Sequence, residues 1–251
     1  MSRFGLIVGS GVLDWDLDWR ELPGRETDYG EASADLREGR LAGHSLFALA
    51  RHGMPHRYAP HAVNYRANLA LLAAADVEAV IALNTVGGIG PEAVTGALLL
   101  PEQIIDYTWG RAQSFSPDDN VRHVDFSMPY DARLRAALQS AAQELGSGPL
   151  AGGVMGVTQG PRLETAAEIA RMARDGCTMV GMTGMPEAVL ARELEIPFVS
   201  LAMVVNPAAG LGDEVIDIAA IRAVSARCMA DAGRLLRVFL HAFVSLDQFR
   251  G

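Results

Sequence analysis

Residues 150–205 read LAGGVMGVTQGPRLETAAEIARMARDGCTMVGMTGMPEAVLARELEIPFVSLAMVV, and two kinds of segment alternate along this stretch. Short apolar runs predict buried strands, and segments with apolar residues at helical spacing predict helices. In chain order the predicted strands and helices are Leu150–Val157, Thr165–Arg174, Cys177–Met182, Pro186–Leu194 and Pro197–Val205. Pro186 suits the first position of its helix, because the amide hydrogen that proline lacks would have no partner there. This alternation is typical of an α/β fold with a parallel or mixed sheet.

The flanking sequence extends the same pattern. It predicts strands and helices at Phe4–Val8, Ser45–Arg51, Val63–Ala75, Ala79–Leu83, Leu98–Ile105 and Asp131–Leu145, of which the third and the last are helices. Pro101 indicates a bulge or an irregular edge, and the polar stretch Asp106–Pro129 is the longest loop. Apolar residues at helical spacing from Ile221 to Phe243 predict a long amphipathic C-terminal helix. We expect one domain over residues 1–251, with a mixed, largely parallel central sheet flanked by helices.

The composition excludes several functions. The 251 residues include 21 basic and 30 acidic side chains, for a net charge of −9, and every basic residue is arginine. The acidic balance disfavours a protein that coats nucleic acid or an anionic membrane, and the lack of lysine excludes a Schiff-base lysine. Cys177 and Cys228 lie far apart, so neither a disulfide scaffold nor a metal site is expected. Because we find no signal peptide and no apolar run of membrane-spanning length, we expect a cytoplasmic protein.

Small polar or glycine-rich clusters follow five of the predicted strands. They are Gly9-Ser10-Gly11, Arg51-His52-Gly53, Asn84-Thr85, Thr183 and Asn206. In open α/β sheets ligands bind at the carboxyl ends of the strands, so these clusters are expected to converge on one pocket. Their hydroxyl, guanidinium and imidazole groups suit a phosphate-sized anion.

Each cluster alone also has a simpler interpretation. Gly9-Ser10-Gly11 is most often a turn, and as a dinucleotide motif it lacks the third glycine, which would fall at Asp14. Arg51 and His52 could be a solvated charge and a structural histidine. The joint occurrence at five strand ends favours a ligand site, and a nicotinamide-dependent oxidoreductase stays open as a remote alternative.

Taken together, the motifs resemble the family of trimeric purine nucleoside phosphorylases and 5′-methylthioadenosine phosphorylases. The segments that carry the resemblance are Gly5–Asp14 (GLIVGSGVLD), Ala50–Asn68 (ARHGMPHRYAPHAVNYRAN), Ala82–Gly90 (ALNTVGGIG), Gly156–Thr165 (GVTQGPRLET) and Gly181–Glu193 (GMTGMPEAVLARE). The resemblance implies reversible phosphorolysis, in which phosphate attacks C1′ of a purine nucleoside and the base leaves. It implies no metal and no cofactor, with inorganic phosphate as co-substrate and a homotrimer or hexamer as the assembly.

The resemblance also implies the residues of the site. The phosphate contacts would be Ser10, Arg51, His52, Asn84, Thr85 and Thr183. Met182 would pack on the ribose, and Leu163 stands where the family places an aromatic residue against the base. The catalytic candidates would be Asn206, Glu164 and His52.

The base side of the pattern favours 6-oxopurines. Residues 206–208, Asn-Pro-Ala, stand where the methylthioadenosine enzymes carry Thr-Asp-x-Asp, so the two carboxylates that face adenine are missing, and Ala208 replaces one position of that motif. The 6-oxopurine enzymes carry Asn there, as at Asn206, and a Glu that matches Glu164. The carboxylate of Glu164 would accept the N1–H of hypoxanthine or guanine, which adenine lacks.

The 5′ side favours a methylthio group. The 6-oxopurine enzymes use a His near the start of the last helix to bind the 5′-hydroxyl, and the segment Asp213–Ile221 contains none. Val215, Ile216 or Ile218, with Ile218 preferred, would present an apolar wall instead. His123 resembles the histidine that a neighbouring subunit contributes in the methylthio enzymes.

The 6-oxopurine pattern at the base and the apolar pattern at the 5′ position together predict 5′-methylthioinosine as the substrate, with hypoxanthine and 5-methylthioribose 1-phosphate as products. The alternatives within the family are a 5′-methylthioadenosine phosphorylase and a general inosine or guanosine phosphorylase. A non-catalytic nucleoside-binding protein is a further alternative. It is disfavoured because the residues that would bind an anion, Arg51, His52, Thr85 and Thr183, are all present.

Overall fold

The computed structural model describes residues 1–9, 15–117, 120–148, 150–212 and 218–245. Within these ranges the strands are β1 (Arg3–Val8), β2 (Arg20–Leu22), β3 (Glu26–Thr27), β4 (Gly30–Glu31), β5 (Leu36–Leu41), β6 (His44–Ala50), β7 (Ala79–Gly88), β8 (Leu98–Leu99), β9 (Gln103–Asp106), β10 (Val154–Val157), β11 (Met179–Gly181) and β12 (Phe198–Pro207). The helices are α1 (Tyr65–Ala74), α2 (Ala132–Glu144), α3 (Ala166–Arg174), α4 (Glu187–Glu193) and α5 (Ile218–Ala242).

The central sheet is mixed and largely parallel, and β7 lies in its middle. β7 runs parallel to β1 on one side and to β12 on the other, and β6 continues the parallel set beyond β1. The last residues of β7 pair antiparallel with β11, which joins the parallel strands β10 and β9. Because β1, β6, β7 and β12 are parallel, their carboxyl ends lie at one edge, with Val8 in register with Ala50 and Asn84 with Ala202.

Helices cover both faces of this sheet. One core cluster contains Leu138 of α2 and Phe239 of α5, and a second contains Leu72 of α1 and Leu190 of α4. All four side chains are buried, and each such burial stabilises the fold by roughly 1.5–3 kcal/mol. The helices thus fix the sheet from both sides and leave its edge of strand ends for polar groups.

Every predicted helix is present, whereas several predicted strands have other bounds. β7 and β12 continue past their predicted ends to Gly88 and Pro207, so Asn84, Thr85 and Asn206 lie within strands and not after them, and β11 is shorter than the predicted Cys177–Met182. The single strand expected at Leu98–Ile105 is two strands, because Pro101 lies between β8, which pairs with β12, and β9, which pairs with β10. The strand expected over Leu150–Val157 is confined to β10, and Gly153 before it has φ +107°, outside the strand region.

Two further features were not predicted correctly. The antiparallel strands β2 and β5 extend the sheet beyond β6, and β3 and β4 form a separate hairpin. Pro186 is the N-cap of α4, with φ −87° and ψ 14°, and the helix begins one residue later at Glu187. Among the described helices, none is both long enough and apolar enough to cross a bilayer.

Candidate active site

Arg51 follows β6 directly and forms a buried ion pair with Glu187, the first residue of α4. Its Nε donates to Oε1 at 2.6 Å and its Nη2 to Oε2 at 3.1 Å, and the side chains are 2% and 0% exposed. Nη1 donates to the Leu83 carbonyl at 3.0 Å, and the Gly184 amide donates to Oε2 of Glu187 at 3.0 Å. The resemblance implies that Arg51 is a phosphate donor. In the structure two of its N–H groups bond the Glu187 carboxylate, because a buried guanidinium requires a partner.

Asn84, in β7, lies beneath the strand ends and not at their surface. It is 0% exposed, and its amide is 2.9 Å from the Thr183 hydroxyl in either orientation. We assign Oδ1 toward Thr183 and Arg51, and Nδ2 toward Ser200 at 2.8 Å, because Arg51 can only donate. Asn84 therefore supports Thr183 and Arg51 from inside the sheet, and the exposed neighbour Thr85 is the side chain that solvent reaches at this strand position.

His52, predicted to contact phosphate, has one ring nitrogen engaged by the backbone. Nδ1 lies 2.8 Å from the Tyr58 carbonyl, which only accepts, so the proton is on Nδ1. Burial and the adjacent Arg51 lower the pKa of His52 from 6.5 to about 4, and its ring stacks on His56 with centroids 4.3 Å apart. The ring is thus neutral near pH 7, and Nε2 carries a lone pair that can accept a hydrogen bond from a protonated anion.

The predicted hydroxyl contact of Ser10 and the predicted apolar wall at the 5′ position cannot be placed. Ser10 lies outside the described residues, as do Val215 and Ile216 of the predicted apolar wall. Ile218 is the first residue of α5, but its side chain is outside the described part.

A cleft of about 530 Å³ lies beside β10 and contains Glu164. Its lining is Asp106, Tyr107, Thr108, Trp109, Thr158, Gln159, Gly160, Arg162, Glu164, Glu168, Arg171 and Met172. This volume is in the range that holds a small molecule. Oε1 of Glu164 accepts a hydrogen bond from the Thr158 hydroxyl at 2.6 Å. Leu163, which was expected against the base, is 41% exposed and does not belong to this lining.

Met182 connects this cleft to the strand-end cluster. Its side chain lies against Gly160, since a β-carbon built on that glycine would be 2.6 Å from the methionine sulfur. Gly160 has φ +60°, so a glycine suits this turn for its backbone as well as for space. Thr183, the next residue after Met182, brings the hydroxyl that Asn84 holds, so the two parts of the site are adjacent.

Asn206 lies near the end of β12, in register with Gly87, and is half-buried. Its Nδ2 donates to the Pro207 carbonyl. Ala208, also predicted as a substrate contact, is 2% exposed and packs in a core cluster with Ile169.

His123 is exposed in the loop between β9 and α2. The preceding residue, Arg122, ties this loop to α4 by donating to the Glu193 carbonyl at 3.1 Å and to Glu195 at 2.7 Å. The loop thus follows the protomer surface, and His123 is accessible to a neighbouring molecule.

Sequence reasoning missed Arg111, a buried residue that joins the two parts of the site. Its guanidinium donates to the carbonyls of Met185 at 2.6 Å, Thr158 at 3.1 Å, Gln159 at 3.0 Å and Met182 at 3.0 Å. The sequence contains no signal for this role, because backbone carbonyls are the same at every residue. Glu187 was equally overlooked, although it lies in the quoted segment Gly181–Glu193.

The structure is an α/β fold with a buried hydrogen-bonded group of Arg51, Asn84 and Thr183 near the strand ends and a cleft containing Glu164 beside it. The model of the phosphorylase superfamily matches residues 3–241, and the chain belongs to this superfamily.

Named relatives and solved structures agree with this family. The chain is 49% identical to a probable S-methyl-5′-thioinosine phosphorylase from Pseudomonas syringae pv. tomato, over 88% of this chain and 91% of that protein. It is 41% identical to a 6-oxopurine nucleoside phosphorylase from Pyrococcus furiosus, over 84% and 82%. A crystal structure of a methylthioadenosine phosphorylase from an Antarctic soil metagenomic library superposes with a TM-score of 0.88 at 27% identity, covering 95% of this chain and 85% of that one.

Proposed function

We propose that this protein is a purine nucleoside phosphorylase that converts S-methyl-5′-thioinosine and phosphate to hypoxanthine and 5-methylthioribose 1-phosphate. The observation that carries the substrate assignment is Glu164, whose carboxylate lines the cleft and receives the Thr158 hydroxyl at 2.6 Å. The 49% identical relative, whose name contains the same substrate, supports it.

Phosphate binds at the strand ends in this proposal. Thr85 supplies a hydroxyl, Ser10 adds another, and the Thr183 hydroxyl turns from Oδ1 of Asn84 toward the phosphate. Arg51 offers the one Nη1–H that Glu187, Leu83 and Asn84 leave unused. His52 accepts a hydrogen bond from the protonated phosphate oxygen, in keeping with its neutral ring. Held in this way, the phosphate attacks C1′ while the bond between C1′ and the purine nitrogen breaks, and its negative charge stabilises the positive charge that develops on the ribose.

The purine occupies the cleft. Met182 packs against the ribose, between the purine and the phosphate. Glu164 accepts N1–H of the 6-oxopurine, and the Asn206 amide faces N7 and O6, where negative charge accumulates as the base leaves. Adenine has no hydrogen on N1 and would leave the carboxylate unpaired, which costs about 1–3 kcal/mol of binding. Asn206 can present either face of its amide, so S-methyl-5′-thioadenosine is the second candidate substrate, favoured by the structural likeness to a methylthioadenosine phosphorylase.

The 5′ pocket and the assembly are proposed together. Ile218 provides an apolar wall for the methylthio group, and His123 from a neighbouring protomer of a homotrimer closes the pocket. The reaction transfers a pentosyl group without a redox change, so phosphate is the one partner that the nucleoside needs and no metal or cofactor is proposed. The place of action is proposed to be the cytoplasm.

The direct test is product analysis with and without phosphate. We expect hypoxanthine and a phosphorylated methylthioribose in equal amounts, and no base release when phosphate is omitted. Thr183→Val should raise the KM for phosphate by about tenfold, since one hydrogen bond to an anion is lost. Thr27→Val is the matched control, because the Thr27 hydroxyl donates to the Gly30 carbonyl in the β3–β4 hairpin. Release of unphosphorylated sugar, or base release that does not depend on phosphate, would contradict the proposal.

A further inference from the structure

Thr158 is the residue directly after β10, and hydrogen bonds hold both its backbone amide and its backbone carbonyl. Its amide donates to the Gly181 carbonyl at 2.8 Å, and its carbonyl accepts from Arg111 at 3.1 Å. The hydroxyl lies 2.6 Å from Oε1 of Glu164. The backbone thus holds this hydroxyl in place while the longer Glu164 side chain has several rotatable bonds.

Arg111 holds the backbone of Thr158 in place. The guanidinium is 8% exposed and also binds the carbonyls of Gln159, Met182 and Met185 at 2.6–3.0 Å. A planar fork that contacts four carbonyls fixes the turn that follows β10 relative to the loop that follows β11. Thr158 is therefore held against the part of the protein that carries the ribose and phosphate contacts.

The direction of the Thr158–Glu164 hydrogen bond is set by what is nearby. The hydroxyl has one proton, and its acceptors are Oε1 of Glu164 at 2.6 Å and the Gly181 carbonyl at 3.4 Å, so the proton is directed to Glu164. Oε1 thus accepts the Thr158 hydroxyl. No hydrogen bond from the described residues reaches Oε2, which leaves this oxygen as a free acceptor in a residue that lines the cleft.

We infer that Thr158 is a positioning residue that determines the preference for 6-oxopurines, because its hydroxyl holds Oε1 of Glu164 so that Oε2 faces the base as an acceptor. This inference rests on the proposed function and extends it. A 6-oxopurine donates its N1–H to Oε2, whereas adenine places a second lone pair there. Without the Thr158 hydroxyl, the Glu164 carboxylate can rotate away from N1 of the base, and the penalty against adenine falls.

The test compares Thr158→Val with Thr158→Ser. Valine keeps the branched shape and both backbone hydrogen bonds but lacks the hydroxyl, and serine keeps the hydroxyl. We expect Thr158→Val to lower the ratio of kcat/KM for S-methyl-5′-thioinosine over that for S-methyl-5′-thioadenosine by about tenfold or more, in line with a lost hydrogen bond to a carboxylate. Thr158→Ser should keep the ratio within about threefold of the parent, and Thr27→Val, a change of the same chemistry far from the cleft, should leave it unchanged.

A second readout separates this inference from the proposed function. Binding of hypoxanthine and of adenine is measured by calorimetry for the parent and for Thr158→Val and Thr158→Ser, with no turnover required. If the parent releases no base from any nucleoside, the proposed function fails, and the binding preference still decides the role of Thr158. A preference for hypoxanthine that is lost in the valine variant and kept in the serine variant supports the inference. An unchanged preference in the valine variant, a loss in the serine variant, or no preference in the parent overturns it.

Discussion

Removal of the Glu187 carboxylate should destabilise the protein strongly, although no part of the proposed chemistry requires Glu187 to touch substrate. The change is Glu187→Ala, which leaves the Arg51 guanidinium buried at 2% exposure without its bidentate partner. It also removes the acceptor of the Gly184 amide.

The magnitude follows from this burial. Breaking a buried ion pair by removing one partner costs about 3–5 kcal/mol, because the remaining charge has neither water nor a counter-ion. This range already includes the loss of the Gly184 hydrogen bond to the same carboxylate. Because folded domains are stable by only about 5–15 kcal/mol, this is a large fraction of the total.

The assay is equilibrium unfolding in urea at one fixed protomer concentration, so that an oligomer is compared on equal terms. We expect a clear fall in the midpoint for Glu187→Ala and a smaller loss for the double variant Arg51→Met with Glu187→Leu, which removes both charges. Asp231→Ala is the control, since it breaks the exposed pair with Arg234, whose side chains are 40% and 63% exposed, and should change stability by less than about 1 kcal/mol. A loss below about 1 kcal/mol for Glu187→Ala, or a double variant less stable than the single one, would refute the reasoning.

Two further predictions concern pH and the base. The folded pKa of His52 is about 4 and its ordinary value is 6.5, so the unfolded chain binds a proton first as the pH falls, and stability should decrease from pH 6.5 toward pH 4 by up to about 3 kcal/mol. Urea midpoints across this range should show a flatter dependence for His52→Gln, and an equal slope in both proteins would rule out this source. The pair of substitutions Glu164→Ser and Asn206→Asp should increase kcat/KM for S-methyl-5′-thioadenosine relative to S-methyl-5′-thioinosine by about tenfold or more, since the unpaired carboxylate no longer opposes adenine. No relative gain on adenine nucleosides would show that the roles given to these two residues are wrong.

The middle of the fold could be predicted from the sequence because its signals are local. β7 and β12 are apolar runs, and α5 repeats its apolar residues at helical spacing, so composition and period agree. β5 (LREGRL) could not be recognised in the same way, since it is a polar strand with partly buried residues whose partners are set by tertiary pairing with β6. Pro101 was recognised as irregular, but only the structure shows that the chain changes strand partners there.

Several residues of the site were predictable from local sequence, whereas their hydrogen-bond partners were not. Arg51, His52 and Thr183 were found because they follow strands. Asn84 was found because it follows the apolar run Ala79–Leu83, although it lies within β7. The structure brings Arg51, Asn84 and Thr183 into one hydrogen-bonded group. The sequence does not show which hydrogen-bond partners these side chains face. The donor fork of Arg51 faces Glu187, 136 residues further along the chain, and the free nitrogen of His52 is an acceptor because Nδ1 bonds the Tyr58 carbonyl.

The most direct measurement is phosphate-dependent release of free base from S-methyl-5′-thioinosine, S-methyl-5′-thioadenosine and inosine, side by side under identical conditions. We predict a strong preference for S-methyl-5′-thioinosine, which needs both a 6-oxopurine base site and an apolar 5′ pocket. A preference for S-methyl-5′-thioadenosine would contradict the roles of Glu164 and Asn206, and equal turnover of inosine would contradict the apolar 5′ pocket. No release from any of the three would contradict the proposed reaction itself.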